Sequence, residues 1–255
     1  MKTRPRAHAL AIILFVVAVL ACKSSTSTNI SNKSNQSTSS ATSSSSSDSN
    51  APAASSHMPA TRANIAGKYA VTGTNPNGTS YRGALQVIEH GDVYQFHWSA
   101  GNQYDGVGVV NGDVVAVSFA GGADGTGCGV VDYNIQSDGS LVGRWGYWGK
   151  DEAGTENATR TGGTGLEGEY DATGKNPNGS PYKSKLTVEP AGNLYRFVWS
   201  NNTDGVGIKQ GDNIAVGIGG ARCGFVAYEI KPDGLEGIWG GYGSDRTGTE
   251  KATKQ

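Results

Sequence analysis

Gly-Thr-Glu occurs twice in this sequence, at Gly154-Thr155-Glu156 and Gly248-Thr249-Glu250, and its two acids have the strongest claim of any titratable pair to a shared role. Gly-Thr-Glu is not turn chemistry. A carboxylate written into both halves of an apolar repeat reads as a hydrogen bond or ion pair that closes a barrel before it reads as a catalyst. The other shared acids, Asp105 with Asp204, Asp113 with Asp212 and Asp138 with Asp233, all adjoin Gly and read as turn residues. They lack the regular oxygen spacing and terminal Glu of a calcium loop. His8 and His57 precede the repeats, and His90 and His97 have no histidine at the matching places of the second copy, so no catalytic or metal-binding His belongs to the common design. With no Ser-His-Asp grouping and no nucleotide loop, the expectation is a protein that is not an enzyme and uses no metal or cofactor.

The aromatic residues are the other groups with functional capacity. Tyr94, Phe96 and Trp98 alternate with polar residues, and Tyr195, Phe197 and Trp199 repeat the pattern; period two puts each row on one face of a strand, where its first role is core. Trp148 and its counterpart Tyr242 lie beyond the core tryptophans and beside glycines. Aromatics in such loops stack on sugar rings or anchor a protein partner, so these two are the ligand-contact candidates.

The elements that position these groups come from one unit written twice, at 65–160 and 166–253. Each copy opens on Gly-x-Tyr and then Asn-Pro-Asn-Gly, at Asn75–Gly78 and Asn176–Gly179, where Pro fixes φ and Asn-Gly tolerates φ > 0, as a hairpin requires. Period-two runs follow: Tyr81 to Val87 and Tyr182 to Val188, the aromatic rows, then Val107 and Val109 opposite glycines with Val206 and Ile208 matching. Next come Val115 to Phe119 with Ile214 to Ile218, Val131 to Ile135 with Val226 to Ile230, Leu141 to Trp145 with Leu235 to Trp239, and the Gly-Thr-Glu segment. No segment has helical periodicity. About eight short strands per copy, joined by tight turns, predict an all-β fold in which each copy closes into a small up-and-down antiparallel barrel, because closure removes exposed edges. The copies differ most in one loop, Ala120–Gly127 against Gly219–Arg222.

Of three cysteines, Cys128 and Cys223 hold the same place in the two copies, each followed by Gly and a strand whose apolar row faces the other way. Both thiols therefore point outward. Two barrels packed about a pseudo-two-fold axis would bring them together as a disulfide; two separate thiols under neighbouring loops is the other reading, and then the barrels would hinge independently at Arg160–Gly165.

The remaining Cys22 belongs to the N-terminus. Lys2, Arg4 and Arg6 precede an apolar run from Ala9 to Leu20, too short to span a bilayer and patterned as a secretory signal. Val19-Leu20-Ala21-Cys22 resembles the lipobox of bacterial lipoproteins, which implies a signal peptide over 1–21 and diacylation of Cys22. Lys23 after the Cys favours the outer membrane under the enterobacterial sorting rule. Residues 22–64, rich in Ser, Thr, Asn and Ala without apolar period, read as a disordered tether with a span on the order of 35–40 Å.

The Gly-x-Tyr opening is similar to the Gly-x-Trp of lipocalin and avidin-type barrels, a likeness of topology. The whole repeat resembles tandem repeats of bacterial exported proteins loosely labelled fibronectin-binding. Net charge −1 gives no footprint for nucleic acid. The sequence thus predicts a lipid-anchored envelope or surface protein acting as a non-enzymatic binding or adhesion module toward an extracellular protein or glycan. The alternative is a lipocalin-like barrel holding a small ligand, against which the many large aromatics argue for a filled interior. A cell-envelope hydrolase would need a nucleophile–base pair that neither copy supplies.

Overall fold

The computed structural model describes residues 63–255, whose strands close into two eight-stranded antiparallel barrels. The expected signal peptide, the candidate lipidation site Cys22 and nearly all of the expected tether lie outside the described residues. Strands β1 (Gly67–Thr74), β2 (Ser80–His90), β3 (Val93–Ala100), β4 (Asn102–Asn111) and β5 (Val114–Gly121) form a meander that stops short of closing. The next eight, β6 (Gly129–Ile135), β7 (Leu141–Tyr147), β8 (Gly154–Thr164), β9 (Glu167–Lys175), β10 (Pro181–Ala191), β11 (Leu194–Trp199), β12 (Thr203–Gln210) and β13 (Asn213–Ile218), close on themselves. A 3-10 turn at Gly220–Arg222 leads to β14 (Gly224–Lys231), β15 (Gly234–Gly241) and β16 (Gly248–Lys254), which return to complete the first barrel.

The expectation that each copy closes its own barrel is therefore corrected. β5 pairs with β14, Val117 opposite Val226, and β1 pairs with β16, Val71 opposite Ala252. In the second barrel β13 pairs with β6, Val216 opposite Val131. Each barrel takes five strands from one copy and three from the other. The reason lies in the repeat itself: β6 and β14 are near-copies, so β5 and β13 each find an equivalent partner across the divide. The segment Arg160–Gly165, the hinge attached to the reading of two free thiols, is no linker between barrels: it belongs to the β8–β9 hairpin inside the second barrel, Thr164 opposite Glu167.

Exchange explains burial that a lone barrel would not need. β5 and β13 are buried on both faces, and so is most of β6 and β14. Their inward rows join the two barrel cores. Their outward residues Ala116, Val130, Ala215 and Ala227 meet Val93, Val107 and Val109 in a third cluster between the barrels. Gly106 and Gly108 face inward, where a methyl on Gly108 would sit 2.6 Å from the Phe96 ring. Glycine on the inner face thus makes room for the aromatic rows, while the valines between them seal the two barrels together.

Each barrel is plugged at one end. Ile65 fills the first, and the Tyr69 hydroxyl donates to its carbonyl at 2.6 Å; Leu166 fills the second, with Tyr170 donating to its carbonyl at 2.7 Å. Tyr94 donates to the carbonyl of Ala63 at 3.1 Å, so Ala63 and Asn64, read from sequence as the end of the tether, already belong to this closure. The Asn-Pro-Asn-Gly turns lie at the opposite end, each tied by Asn N–H to Thr79 or Ser180 carbonyls at 2.8 Å, with φ of 85° and 80° at Gly78 and Gly179.

Candidate functional site

At the end away from its plug each barrel opens into a cup. The first, of about 220 Å³, is lined by Tyr81, Trp98, Tyr104, Phe119, Trp239 and, at its floor, Glu250. The second, of about 390 Å³, is lined at matching positions by Tyr182, Trp199, Thr203, Ile218, Trp145 and Glu156, with Lys183 and Asn201 at the rim. An eight-stranded barrel is just wide enough to be filled by side chains or to hold one small molecule. Here the lower part is filled and the upper part is not, which refines the expectation of a filled interior.

The floor of each cup is a carboxylate held by three neutral donors. Glu250 accepts from Tyr81 Oη at 2.7 Å, from Trp98 Nε1 at 2.9 Å and from Tyr228 Oη. Glu156 accepts from Tyr182 Oη at 2.8 Å, from Trp199 Nε1 at 3.0 Å and from Tyr133 Oη. The two networks use the same residue types from the same strands of each copy. In both, the donors come from both copies, so the hydrogen bonds bind the exchanged segments together. Each Glu acts as the shared acceptor of three donors, the role for which a carboxylate is suited. Burial first, and then the charge of the neighbouring Glu, push the Tyr133 and Tyr228 hydroxyls far above the usual phenol range and raise Tyr81 and Tyr182 in the same way. These phenols keep their protons and donate; none is available as a base.

The walls of the first cup are a run of rings set mostly edge to face: Tyr81 to Trp239 at 6.3 Å between centroids, Trp239 to Phe119 at 6.1 Å, and Phe119 to Tyr104 at 5.9 Å. In the second cup Trp145 packs against Tyr182 at 6.3 Å and donates its Nε1 to that hydroxyl at 3.0 Å. Comparison with protein-family models, with curated proteins and with solved structures finds no match to this chain.

The ligand-contact candidates lie elsewhere. Trp148 is half-buried over Gly125, edge to face with His97 at 5.6 Å, and packs against the cluster between the barrels. Tyr242 is exposed and lines a shallow cleft with Arg196 and Asp245 on the outside of the fold. Neither reaches a cup. Among the shared acids, Asp113, Asp212, Asp138 and Asp233 sit in turns, whereas Asp105 and Asp204 lie within β4 and β12 and pair outward, Asp105 Oδ1 with His97 Nδ1 at 2.8 Å and Asp204 with Arg196 at 3.8 Å. Among the described residues no group of His, Cys, Asp and Glu converges to hold a metal ion, and no helix is long and apolar enough to cross a membrane.

Cys128 and Cys223 form a disulfide with 5.8 Å between Cα atoms. They end the two segments that cross between barrels, 122–128 and 219–223, and are buried together with Ala120. The bond thus ties the outgoing crossing to the returning one.

Sequence reading singled out the two glutamates but placed Tyr81, Tyr182, Trp145 and Trp239 only as strand-end or core residues. A signal for the cups was present in the pairing of constants and differences. Tyr, Trp and Glu repeat in both copies, while the wall positions beside them change from Tyr104 to Thr203, from Phe119 to Ile218 and from Ala100 to Asn201.

Proposed function

We propose that this protein is a lipid-anchored envelope binding protein, not an enzyme, and that each barrel takes a small ligand in its cup. The observation that carries the reading is the doubled cup: an aromatic wall over a fixed carboxylate, at equivalent places in two barrels. Ligand sites are concave, mostly apolar and carry a few fixed polar groups, and the mouth of a barrel is one of their usual positions. Small-ligand binding accordingly takes precedence over adhesion by Trp148 and Tyr242, one of which is packed into the fold. The non-enzymatic part of the reading rests on the cup chemistry. The floor carboxylates are engaged by Tyr and Trp donors, and the His97–Asp105 pair lies on the outer wall. Cys22 would supply the membrane anchor, with the repeats presented beyond a tether.

The test is a thermal-shift and native mass-spectrometry screen of the full chain against a panel of sugars, amines, carboxylates and small apolar molecules. Ala100→Trp and Asn201→Trp serve as plugs for the first and second cup. Binding that is lost cup by cup in the matching variant is the expected outcome. Binding indifferent to both plugs, or retention only by immobilised matrix proteins or glycans, would return the function to the outer surface.

A further inference from the structure

The two cups share a floor but not a wall, and their charges differ. Glu250 is 7 % exposed, and its three hydrogen-bond partners, Tyr81, Trp98 and Tyr228, are all neutral. No described residue forms an ion pair with it, and the lining of the first cup includes no Lys, Arg or His. A buried carboxylate is costly unless its charge is compensated, and neutral donors solvate the charge without cancelling it. A carboxylate also has about four acceptor positions, of which the protein fills three. Glu250, with that capacity left, lines the cup.

Around that charge stand five rings, Tyr81, Trp98, Tyr104, Phe119 and Trp239. Aromatic faces carry negative potential and attract cations, most strongly Trp and most strongly when water is excluded. An aromatic enclosure with one uncompensated anion at its floor is complementary to one positive charge spread over an apolar surface. In the second cup Thr203 and Ile218 replace two of the rings while Tyr147, where the first barrel has Gly241, adds one, so four rings remain; Asn201 replaces Ala100, and Lys183 lines the rim. The same carboxylate there sits under fewer rings, with a lysine at the rim.

We propose that the first cup binds a small organic cation of the methylated-ammonium type and that the second cup does not share this preference. The inference rests on the cups being ligand sites. A methylated head group matches both demands, since its methyls contact ring faces and its charge is low enough in hydration to be transferred to them. A simple inorganic cation would keep its water and gain nothing from the rings.

The probe pair is choline and neohexyl alcohol, which has the same shape with carbon in place of the charged nitrogen, titrated by calorimetry and tryptophan fluorescence into the full chain. Choline is expected to bind at least about tenfold more tightly than its neutral isostere, with loss in Ala100→Trp and no change in Asn201→Trp. The paired substitution Tyr104→Thr with Phe119→Ile installs residues the protein itself uses at the matching places of the second barrel, and circular dichroism checks that the variant folds. It should weaken choline about tenfold and the isostere far less. Glu250→Gln, where it folds by circular dichroism, should abolish the preference for charge. Equal binding of isostere and choline overturns the cation assignment and leaves the cups as ligand sites. Absence of choline binding while other panel compounds are displaced by the Ala100→Trp plug does the same. Absence of any plug-sensitive ligand overturns both readings.

Discussion

Replacing Cys128 and Cys223 together by Ser opens a bridge between residues 95 apart, and the size of the effect follows from that loop. In the chain-entropy model a closed loop of about 100 residues removes roughly 4–5 kcal/mol of freedom from the unfolded chain. Both sulfurs are also buried, beside Ala120, so two hydroxyls would enter an apolar pocket and add to the loss. Urea unfolding should therefore show stability reduced by at least about 4 kcal/mol, with a steeper dependence on denaturant because the unlinked chain exposes more surface. The exchange of strands is tested in the same variant. As folded, Val117 lies across from Val226 and Val131 from Val216. If each copy closed on itself, the repeat would place Val117 across from Val131 instead. Amide contacts by nuclear magnetic resonance distinguish the two pairings, and the exchanged one should survive loss of the bridge, because the cluster between the barrels and the glutamate networks hold it without covalent help. A stability change within about 1 kcal/mol would refute the loop argument, and a Val117–Val131 contact in the bridged protein would refute the exchange itself.

Three further outcomes are expected. Trp98→Ala and Trp199→Ala each empty a buried site and leave a glutamate short of a donor, so each should cost about 3–5 kcal/mol in urea unfolding; a loss below about 0.5 kcal/mol would place the rings outside the core. Asp132 on β6 is fully buried among apolar neighbours, with Arg144 opposite on β7 turned toward Asp92, and burial raises its pKa from 3.8 to about 7, partly offset by Asn111. The folded state then holds a proton that the unfolded chain has released, so stability should fall as pH rises from about 4 to about 7, by at most roughly 4 kcal/mol, and Asp132→Asn should flatten that slope when urea midpoints are compared across pH. Cys22→Ser should release the protein from membranes or leave it unprocessed, and fully processed protein that still fractionates with membranes would end the lipoprotein reading.

The strands were legible because their signal is local. Period-two rows, Asn-Pro-Asn-Gly turns and Gly-Asp or Asp-Gly reversals are properties of a few adjacent residues, and they recur at the same spacing in both copies. Strand partnership is not local. When β6 and β14 carry the same alternation, pairing of β5 with either satisfies the same hydrogen bonds and the same inward row, and sequence pattern has no term that separates them. The trace of the exchange is the outward row of β5, where Val114, Ala116, Ser118 and Ala120 are buried like the inward Val115 and Val117. An up-and-down barrel alone in water would place polar residues there. The cups were hidden for a related reason: Tyr, Trp and Glu at repeated positions serve core and site at once, and only the closed barrel shows which end of the row is packed. Because Glu250 draws Trp98 from the first copy and Tyr228 from the second, and Glu156 draws Tyr133 from the first and Trp199 from the second, neither cup can be assembled from one copy. The two barrels therefore depend on each other for folding while the walls of their cups differ, at Tyr104 against Thr203 and Phe119 against Ile218.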